Sequence, residues 1–310
     1  MGSWLALNTM MNNWFVRRRS FAMGLSNALA RFGSLFFVPL LAWLVDPDFL
    51  DRPGWSLTAF VLGIVTILLA FPLTSLLRNK PEDYGLLPDG DTEEDVKRRN
   101  EEALSGGIQI EREYDFTVSQ ALRAPAFWFI SLGHGFTSMV LLAFMLHLAP
   151  MMTDLGYSLQ TAAFVVSAYT AVSMVFQMIG GYVGDRMPKN VALMMFTLCQ
   201  ALGVFVLTFG PPNLISAYGV ALRFGIGFGG RNPISSSIRG DYFGRKHYGK
   251  IMGISQVPMN VFLLVGPVLA GVIRDWQGDY KIAFAVLGCC ATLGAFCFLF
   301  AVKPTHLASS

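Results

Sequence analysis

The stretch TAAFVVSAYTAVSMVFQMIGGYVGDRMPKNVALMMFTLCQALGVFVLTF, Thr161–Phe209, decides the class of fold. Two long apolar runs flank a short turn that contains Asp185, Arg186 and Lys189. A bilayer core needs roughly 20 apolar residues per helix, whereas the strands of a membrane barrel would be shorter and would alternate in polarity. The stretch therefore predicts two membrane-spanning helices joined by a polar turn.

The rest of the chain repeats this pattern. Apolar residues make up 54% of the sequence and charged residues 14%, against about 25% charged in a soluble domain. We therefore expect an all-α, polytopic membrane protein with eight full spans and a shorter helical stub, Met1–Met11. The predicted spans are Phe21–Val45, Trp55–Leu77, Ala126–Leu148, Thr161–Val183, Val191–Phe209, Leu214–Ile238, Ile251–Ile273 and Ile282–Val302.

The distribution of Lys and Arg orients these spans. The connections on one side hold seventeen Lys/Arg, and those on the other side hold three. The Lys/Arg-rich side includes Arg17–Arg19, the long segment Arg78–Arg123 and Arg239–Lys250. Positive residues stay in the cytoplasm, so the long segment and the C-terminus are predicted to be cytoplasmic, in the cell membrane. The net charge of +3 is too small to indicate nucleic acid.

Cysteine and histidine usage argues against metals and cofactors. The four cysteines lie in apolar runs without metal-ligand spacing, and neither HExxH nor CxxC occurs. A membrane-embedded enzyme would need an intramembrane catalytic set, but no predicted span contains Asp or Glu. We therefore expect no enzyme activity, no catalytic residues, no metal and no cofactor; the expected partners are the lipid bilayer and a small molecule.

Five local motifs resemble one transporter family. The turn GGYVGDRMPKN is similar to the inner-loop signature of the major facilitator superfamily, through Gly181, Asp185, Arg186 and Lys189. Four others resemble the monocarboxylate and oxalate–formate branch of that superfamily, in the same order between spans: NWFVRRRSFAMG (Asn13–Gly24), RNKPEDYGLLPDG (Arg78–Gly90), HLAPMMTDLGYS (His147–Ser158) and DYFGRKHYGKIMG (Asp241–Gly253).

The resemblance implies a domain organisation. Residues 1–77 correspond to a remnant of the first bundle, with the end of helix 4 and helices 5 and 6, so the chain is expected to be N-terminally truncated. Residues 78–124 form the cytoplasmic central loop, residues 125–302 the complete second bundle of helices 7–12, and residues 303–310 a tail. We favour a solvated linker for the central loop, although DGDTEEDVKRRNEEAL within it could form a short charged helix.

The resemblance also implies a function. Such proteins are secondary transporters that rock two bundles about a midplane site; the alternative is a truncated or non-transporting paralogue.

The inner turn would act as a latch, in which Asp185 accepts hydrogen bonds from a neighbouring helix N-terminus and Arg186 pairs across the bundle. The alternative is a plain positive-inside turn.

Three arginines, Arg31, Arg223 and Arg231, lie within spans that hold no carboxylate. A charge at bilayer depth costs about 2.5–3.5 kcal/mol on the mildest scale, so it normally faces a cavity or a partner. We expect a small organic anion, such as a carboxylate, bound bidentately by Arg223 or Arg231, with a coupled proton or counter-anion. Alternatively, Arg231 snorkels to the inner surface, and Arg31 and Arg223 pair with acids on helices outside this chain.

His134 and the eighth helix bear on coupling and substrate. His134 could relay a proton, or it could be a neutral, hydrogen-bonded helix residue. Monocarboxylate members carry an Asp–Arg pair in the eighth helix, but TAAFVVSAYTAVSMVFQMIGGYV contains neither residue. The monocarboxylate site is therefore not carried over, and substrate identity stays open.

The stretch RFGIGFGGRNP, Arg223–Pro233, matches the glycine spacing of a dinucleotide-binding loop. That loop follows a strand and opens a helix, whereas this stretch lies inside a predicted span. We interpret Gly225 and Gly229 as a GxxxG packing pair. Arg223, Gly227, Gly230 and Arg231 fall on one stripe of the helix, which predicts a thinned, positively charged groove.

Overall fold

The structure is a computed structural model that describes residues 2–45, 54–105, 114–211 and 213–304. The predicted outer connection 46–53 and residues 305–310 of the predicted tail lie outside the described residues. The described chain is helical, without a strand. Its helices are α1 (Gly2–Trp14), α2 (Arg19–Val45), α3 (Gly54–Leu76), α4 (Glu93–Ser105), α5 (Val118–Arg123), α6 (Pro125–Asp154), α7 (Leu159–Gly184), α8 (Lys189–Phe209), α9 (Leu214–Phe243), α10 (Tyr248–Gln277) and α11 (Lys281–Phe300).

Every predicted span coincides with one of these helices. Six of them, α3, α6, α7, α8, α10 and α11, are long and apolar enough to cross a membrane. Helix α9 is comparably long but less apolar than that group. Helix α9 extends five residues past the predicted Ile238 and buries polar side chains, including Arg231 and Ser235–Ser237. Its polar content therefore faces the protein interior.

Glycines set the spacing between α7, α8 and α9. A Cβ atom at Gly229 would lie 2.3 Å from the carbonyl oxygen of Ser173 on α7, and one at Gly225 would lie 2.8 Å from that of Tyr169. On another side of α9, Gly227 and Gly230 are covered by Phe196 and Gln200 of α8. The GxxxG packing pair is therefore present, but the predicted groove along Gly227 and Gly230 does not exist because α8 fills it.

Helix α2 packs along α7 and α9 near one end of the bundle. We call this end the inner side; it holds the turns 15–18, 185–188 and 244–247. A Cβ atom at Gly181 of α7 would lie 2.5 Å from the carbonyl oxygen of Ser20, and one at Gly24 of α2 would lie 2.3 Å from that of Gln177. This close approach brings the polar start of α2 against the turn that follows α7.

The central segment is more ordered than the solvated linker that the sequence analysis favoured. The predicted charged helix is confirmed as α4. Before it, residues 78–91 hydrogen-bond to the turn between α1 and α2 through their backbone and through Asp89. This part of the central segment is therefore not a freely solvated linker.

Candidate functional site

Two arginines converge on one buried ring inside the helix packing. Phe228 of α9 is 5% exposed, and its ring centroid lies 4.9 Å from the guanidinium carbon of Arg31 and 5.8 Å from that of Arg231. Each arginine lies twelve residues from the inner end of its helix, Arg31 from Arg19 and Arg231 from Phe243. At 1.5 Å per residue, both lie at about 18 Å depth.

Arg231 has no counter-charge there among the described residues. Its side chain is 2% exposed, its Nε atom is buried without a hydrogen-bond partner, and no described carboxylate forms an ion pair with it. A buried charge needs a partner, because desolvation costs several kcal/mol per ion. The cation–π contact with Phe228 supplies only part of that compensation. The guanidinium group is therefore available to an anion.

Arg223 does not belong to this site. Its side chain is exposed, and it donates a hydrogen bond over 3.1 Å to the carbonyl oxygen of Gly219 in its own helix. The thiol of Cys199 on α8 contacts its carbonyl oxygen at 3.5 Å. Eight positions separate Arg223 from Arg231, which rotates their side chains about 80° apart on a helix. The predicted stripe placed the two side chains on one face of the helix, but they point in different directions.

His134 pairs with an arginine that the sequence placed in an inner loop. Its Nδ1 atom lies 3.3 Å from Nη2 of Arg239, and both side chains are buried. Because a guanidinium group can only donate, Nδ1 of His134 must accept and carries no proton. Arg239 also donates to the carbonyl oxygen of Ser235. His134 is thus a neutral, hydrogen-bonded histidine in this state.

Asp185 caps the start of α2. Its two carboxylate oxygens each accept a backbone N–H at 2.9 Å, one from Ser20 and one from Phe21. The first N–H groups of a helix have no partner within the helix, and they attract negative charge. The carboxylate therefore joins the turn after α7 to a helix that precedes the central segment. Its role as a conformational latch stays a prediction.

A second carboxylate extends this contact. Nη1 of Arg19 lies 2.8 Å from Oδ1 of Asp241, Lys189 also pairs with Asp241, and Nζ of Lys189 lies 3.8 Å from Asp185. Arg19 is 1% exposed. The sequence analysis missed Arg19 and Asp241, although Asp241 is the one carboxylate between Asp185 and Asp275. A lone acid in a basic loop is a signal that could have identified it.

Among the described residues, Arg186 makes no ion pair across the bundle, contrary to the prediction. Its guanidinium carbon lies 3.5 Å from the ring centroid of Tyr182, in the same helical region, and Nη1 points to the carbonyl oxygen of that residue at 3.4 Å. The spacing of four residues places the two side chains on one face. The pairing expected of Arg186 is made instead by Lys189 and Arg19 with Asp241.

Comparisons with known proteins place this geometry in a family context. Residues 2–230 and 127–310 match the model of the Major Facilitator Superfamily. Monocarboxylate transporter 13 of Bos taurus is 25% identical over 285 residues, 90% of this chain and 59% of the relative. Monocarboxylate transporter 11 of Mus musculus is 26% identical over 306 residues, 95% of this chain and 62% of the relative. The chain thus spans about three fifths of the length of these relatives.

Solved structures show the same fold. The Escherichia coli fucose:proton symporter FucP superposes with a TM-score of 0.66 at 14% identity, covering 97% of this chain and 73% of that one. Among the sequence relatives, an uncharacterised transporter from the same organism, YhjX, is 22% identical over 249 residues, 78% of this chain and 54% of the relative. The helix arrangement, rather than any one side chain, carries the structural likeness.

Proposed function

Because the chain belongs to the major facilitator superfamily, we propose that it is a secondary active transporter that carries a small organic anion by alternating access. Its membrane is the cell membrane, and its inner side faces the cytoplasm. The observation that carries this proposal is the buried guanidinium group of Arg231, which has no carboxylate partner among the described residues. A carboxylate substrate would supply the missing counter-charge.

The second arginine of the site supports an anionic substrate. The guanidinium group of Arg31, on α2, lies over the ring of Phe228, the ring that Arg231 also contacts. A carboxylate held between α2 and α9 would contact helices from both predicted bundles, which is the arrangement that rocking about a midplane site requires. Guanidinium groups match carboxylates bidentately. Several relatives are named monocarboxylate transporters, so monocarboxylates are the first substrates to test.

His134 supports coupling to a proton. It is neutral and accepts a hydrogen bond from Arg239, so protonation of Nδ1 would break that bond and place two positive groups side by side. Arg239 lies about two helical turns from Arg231 on the inner part of α9. An anion that passes between Arg231 and the inner side would relieve this repulsion, which links substrate and proton. Exchange for a counter-anion is the alternative, and it predicts uptake that depends on the internal anion rather than on pH.

The contacts of Asp185 and Asp241 support a closed inner side in this structure. They tie the start of α2 to the turn after α7 and to the end of α9. Opening of the inner side would separate these elements. We infer that the cluster of Arg19, Asp185, Lys189 and Asp241 stabilises the inner-closed state against that opening.

Uptake by the purified chain in proteoliposomes tests the proposal. Labelled lactate and pyruvate are offered with an inward proton gradient, or with unlabelled anion inside. Arg231→Gln should abolish uptake, whereas Arg223→Gln, which removes the same charge from an exposed position of the same helix, should leave it unchanged. Equal loss in both variants would refute the assignment of the site.

A binding measurement separates the substrate site from transport. Binding of labelled monocarboxylate to detergent-solubilised protein should be lost in Arg231→Gln and Arg31→Gln and retained in Arg223→Gln. If the unmodified chain neither binds nor takes up any anion of the panel, the anion-transporter proposal fails and the non-transporting paralogue takes its place.

A further inference from the structure

Two inner turns of the chain are built alike. The turn between α1 and α2, residues 15–18, and the turn between α9 and α10, residues 244–247, have the same length at an offset of 229 positions, and each leads into a helix. In the first, the backbone N–H groups of Val16 and Arg17 donate to Asp89 at 3.3 and 3.0 Å. In the second, those of Arg245 and Lys246 donate to Asp115 at 2.8 and 2.9 Å. Equivalent amides thus bind carboxylates of the central segment.

The first part of the central segment lies directly on the first turn. We define residues Arg78–Asp91 as the inner strap. The indole N–H of Trp14 donates to the carbonyl oxygen of Arg78 at 2.7 Å, and the side-chain amide of Asn13 donates to that of Asn79 at 3.1 Å. At the other end of the strap, Arg17 pairs with Asp91. These contacts fix the strap to the α1–α2 turn.

The same strap reaches the second turn. Nη1 of Arg245 lies 2.7 Å from the carboxylate of Glu82 and donates to the carbonyl oxygen of Asn13 at 3.1 Å. Burial opposes ionisation of Glu82, but its backbone hydrogen bond and the hydrogen bond from Arg245 lower the pKa of this carboxyl below its ordinary value. The carboxylate form, which the ion pair needs, is therefore favoured at neutral pH.

We propose that the inner strap is a conformational brace, which holds the α1–α2 turn and the α9–α10 turn together and favours the inner-closed state. It is anchored on the first turn by Asp89 together with the contacts of Arg78, Asn79 and Asp91, and on the second turn by Glu82. The brace rests on the proposed alternating-access function for its biological meaning, but its mechanical effect is independent of substrate. Inner opening requires the two turns to part, so it requires at least one anchor to release.

A brace makes a specific prediction about its two anchors. The first turn holds the strap through several contacts, whereas the second turn holds it through Glu82. Removing Glu82 therefore releases the restraint, and the further removal of Asp89 should add no effect. Two local caps that merely stabilised their own turns would instead contribute independently, and their effects would multiply. The comparison of single and double variants thus separates the brace from ordinary turn capping.

The test measures the distance between the turns by double electron–electron resonance in lipid nanodiscs. Spin labels are attached at Arg18→Cys and Lys246→Cys, both exposed, in the chain with its four native cysteines replaced by serine. Glu82→Ala should raise the long-distance fraction roughly two- to tenfold. Asp89→Ala should raise it less, because Asn13, Trp14 and Arg17 still hold the strap. The double variant should match the larger of the two.

Asp83→Ala is the matched control, because Asp83 is an exposed acid of the same strap with no hydrogen bond to the described residues. It should leave the distance distribution unchanged. A multiplied effect in the double variant, or an equal shift in Asp83→Ala, would overturn the brace. All variants are compared as monodisperse protein, so that misfolding is excluded. The distances need no substrate, and a chain that fails to take up anions but shows the predicted distances would disprove the transport proposal alone.

Discussion

Replacement of Gly229 by alanine is a stringent test of how α9 is packed. The added Cβ atom would lie 2.3 Å from the carbonyl oxygen of Ser173 and 2.8 Å from its Cα atom, both backbone atoms of α7. A side chain could rotate away from such a clash, but a helix backbone has to move as a unit. Gly229→Ala should therefore force α7 and α9 apart.

The size of the effect follows from these distances. Ordinary contact begins at 3.4 Å, so the two backbones must separate by roughly 1 Å at this point, and overpacking of this kind costs about 1–3 kcal/mol. Alanine gains up to about 1 kcal/mol over glycine from helix propensity, which offsets part of the loss. The net change should be a lower free energy of unfolding.

Gly225 is one turn away on the same contact, which makes the pair informative. Its Cβ atom would lie 2.8 Å from the carbonyl oxygen of Tyr169, so Gly225→Ala needs a smaller displacement and should be milder. Once Gly229→Ala has moved α7, part of the clash at Gly225 is already relieved. The double variant should therefore be less destabilised than the two single effects predict together.

Thermal melting followed by size-exclusion chromatography in detergent measures this series. Gly253→Ala is the control, because nothing lies within 4 Å of its added Cβ atom and the residue lies inside α10. Its melting temperature should equal or slightly exceed that of the unmodified chain, whereas Gly229→Ala should melt several degrees lower. If Gly229→Ala and Gly253→Ala have the same melting temperature, the close packing of α7 on α9 is refuted.

Three further variants probe the polar contacts of the inner side. Asp185→Asn weakens two hydrogen bonds from backbone N–H groups to a charged acceptor, each worth about 1.5–3 kcal/mol. Ser237 is buried, so a cysteine introduced by Ser237→Cys should react faster with maleimide in this variant if the inner side opens more often. Unchanged labelling would argue against a latch. His134→Leu leaves Arg239 without its side-chain acceptor and should lower the melting temperature by the equivalent of about 1–3 kcal/mol, more than His134→Gln. The hydroxyl of Tyr248 donates to the carbonyl oxygen of Ser236 at 3.1 Å. Tyr248→Phe loses this hydrogen bond of about 1 kcal/mol, so it should melt slightly lower while anion uptake stays unchanged.

The sequence predicts most of the fold because a membrane simplifies the problem. Each span must be a long apolar helix, so the apolar runs locate the helices with errors only at their ends. Helix α9 shows where this signal weakens. Its serines and arginines lower its apolar content. The sequence pattern assigns Arg239 to a loop and so ends the span at Ile238, whereas the structure buries Arg239 within α9.

The site was harder to predict because side-chain direction decides it. The sequence makes Arg231 and Arg31 candidates because each places a charge at depth while no predicted span holds a carboxylate. Their convergence on Phe228 depends on how α2 approaches α9, and no pattern within one helix contains that information. The same limit hid the contact of Arg19 with Asp241, whose positions are 222 residues apart.

The glycines of α9 explain why its two central arginines differ. Gly225 and Gly229 face α7, and Gly227 and Gly230 face α8, so two sides of the helix are consumed by close packing. With about 100° between successive residues, Arg223 points in the direction of the second pair, while Arg231 lies about 80° further round, between the directions of Gly227 and Phe228. Only that third side is left to face the interior. The glycine motif therefore excludes one arginine from the core and assigns the other to it, and the comparison of Arg231→Gln with Arg223→Gln tests that assignment directly.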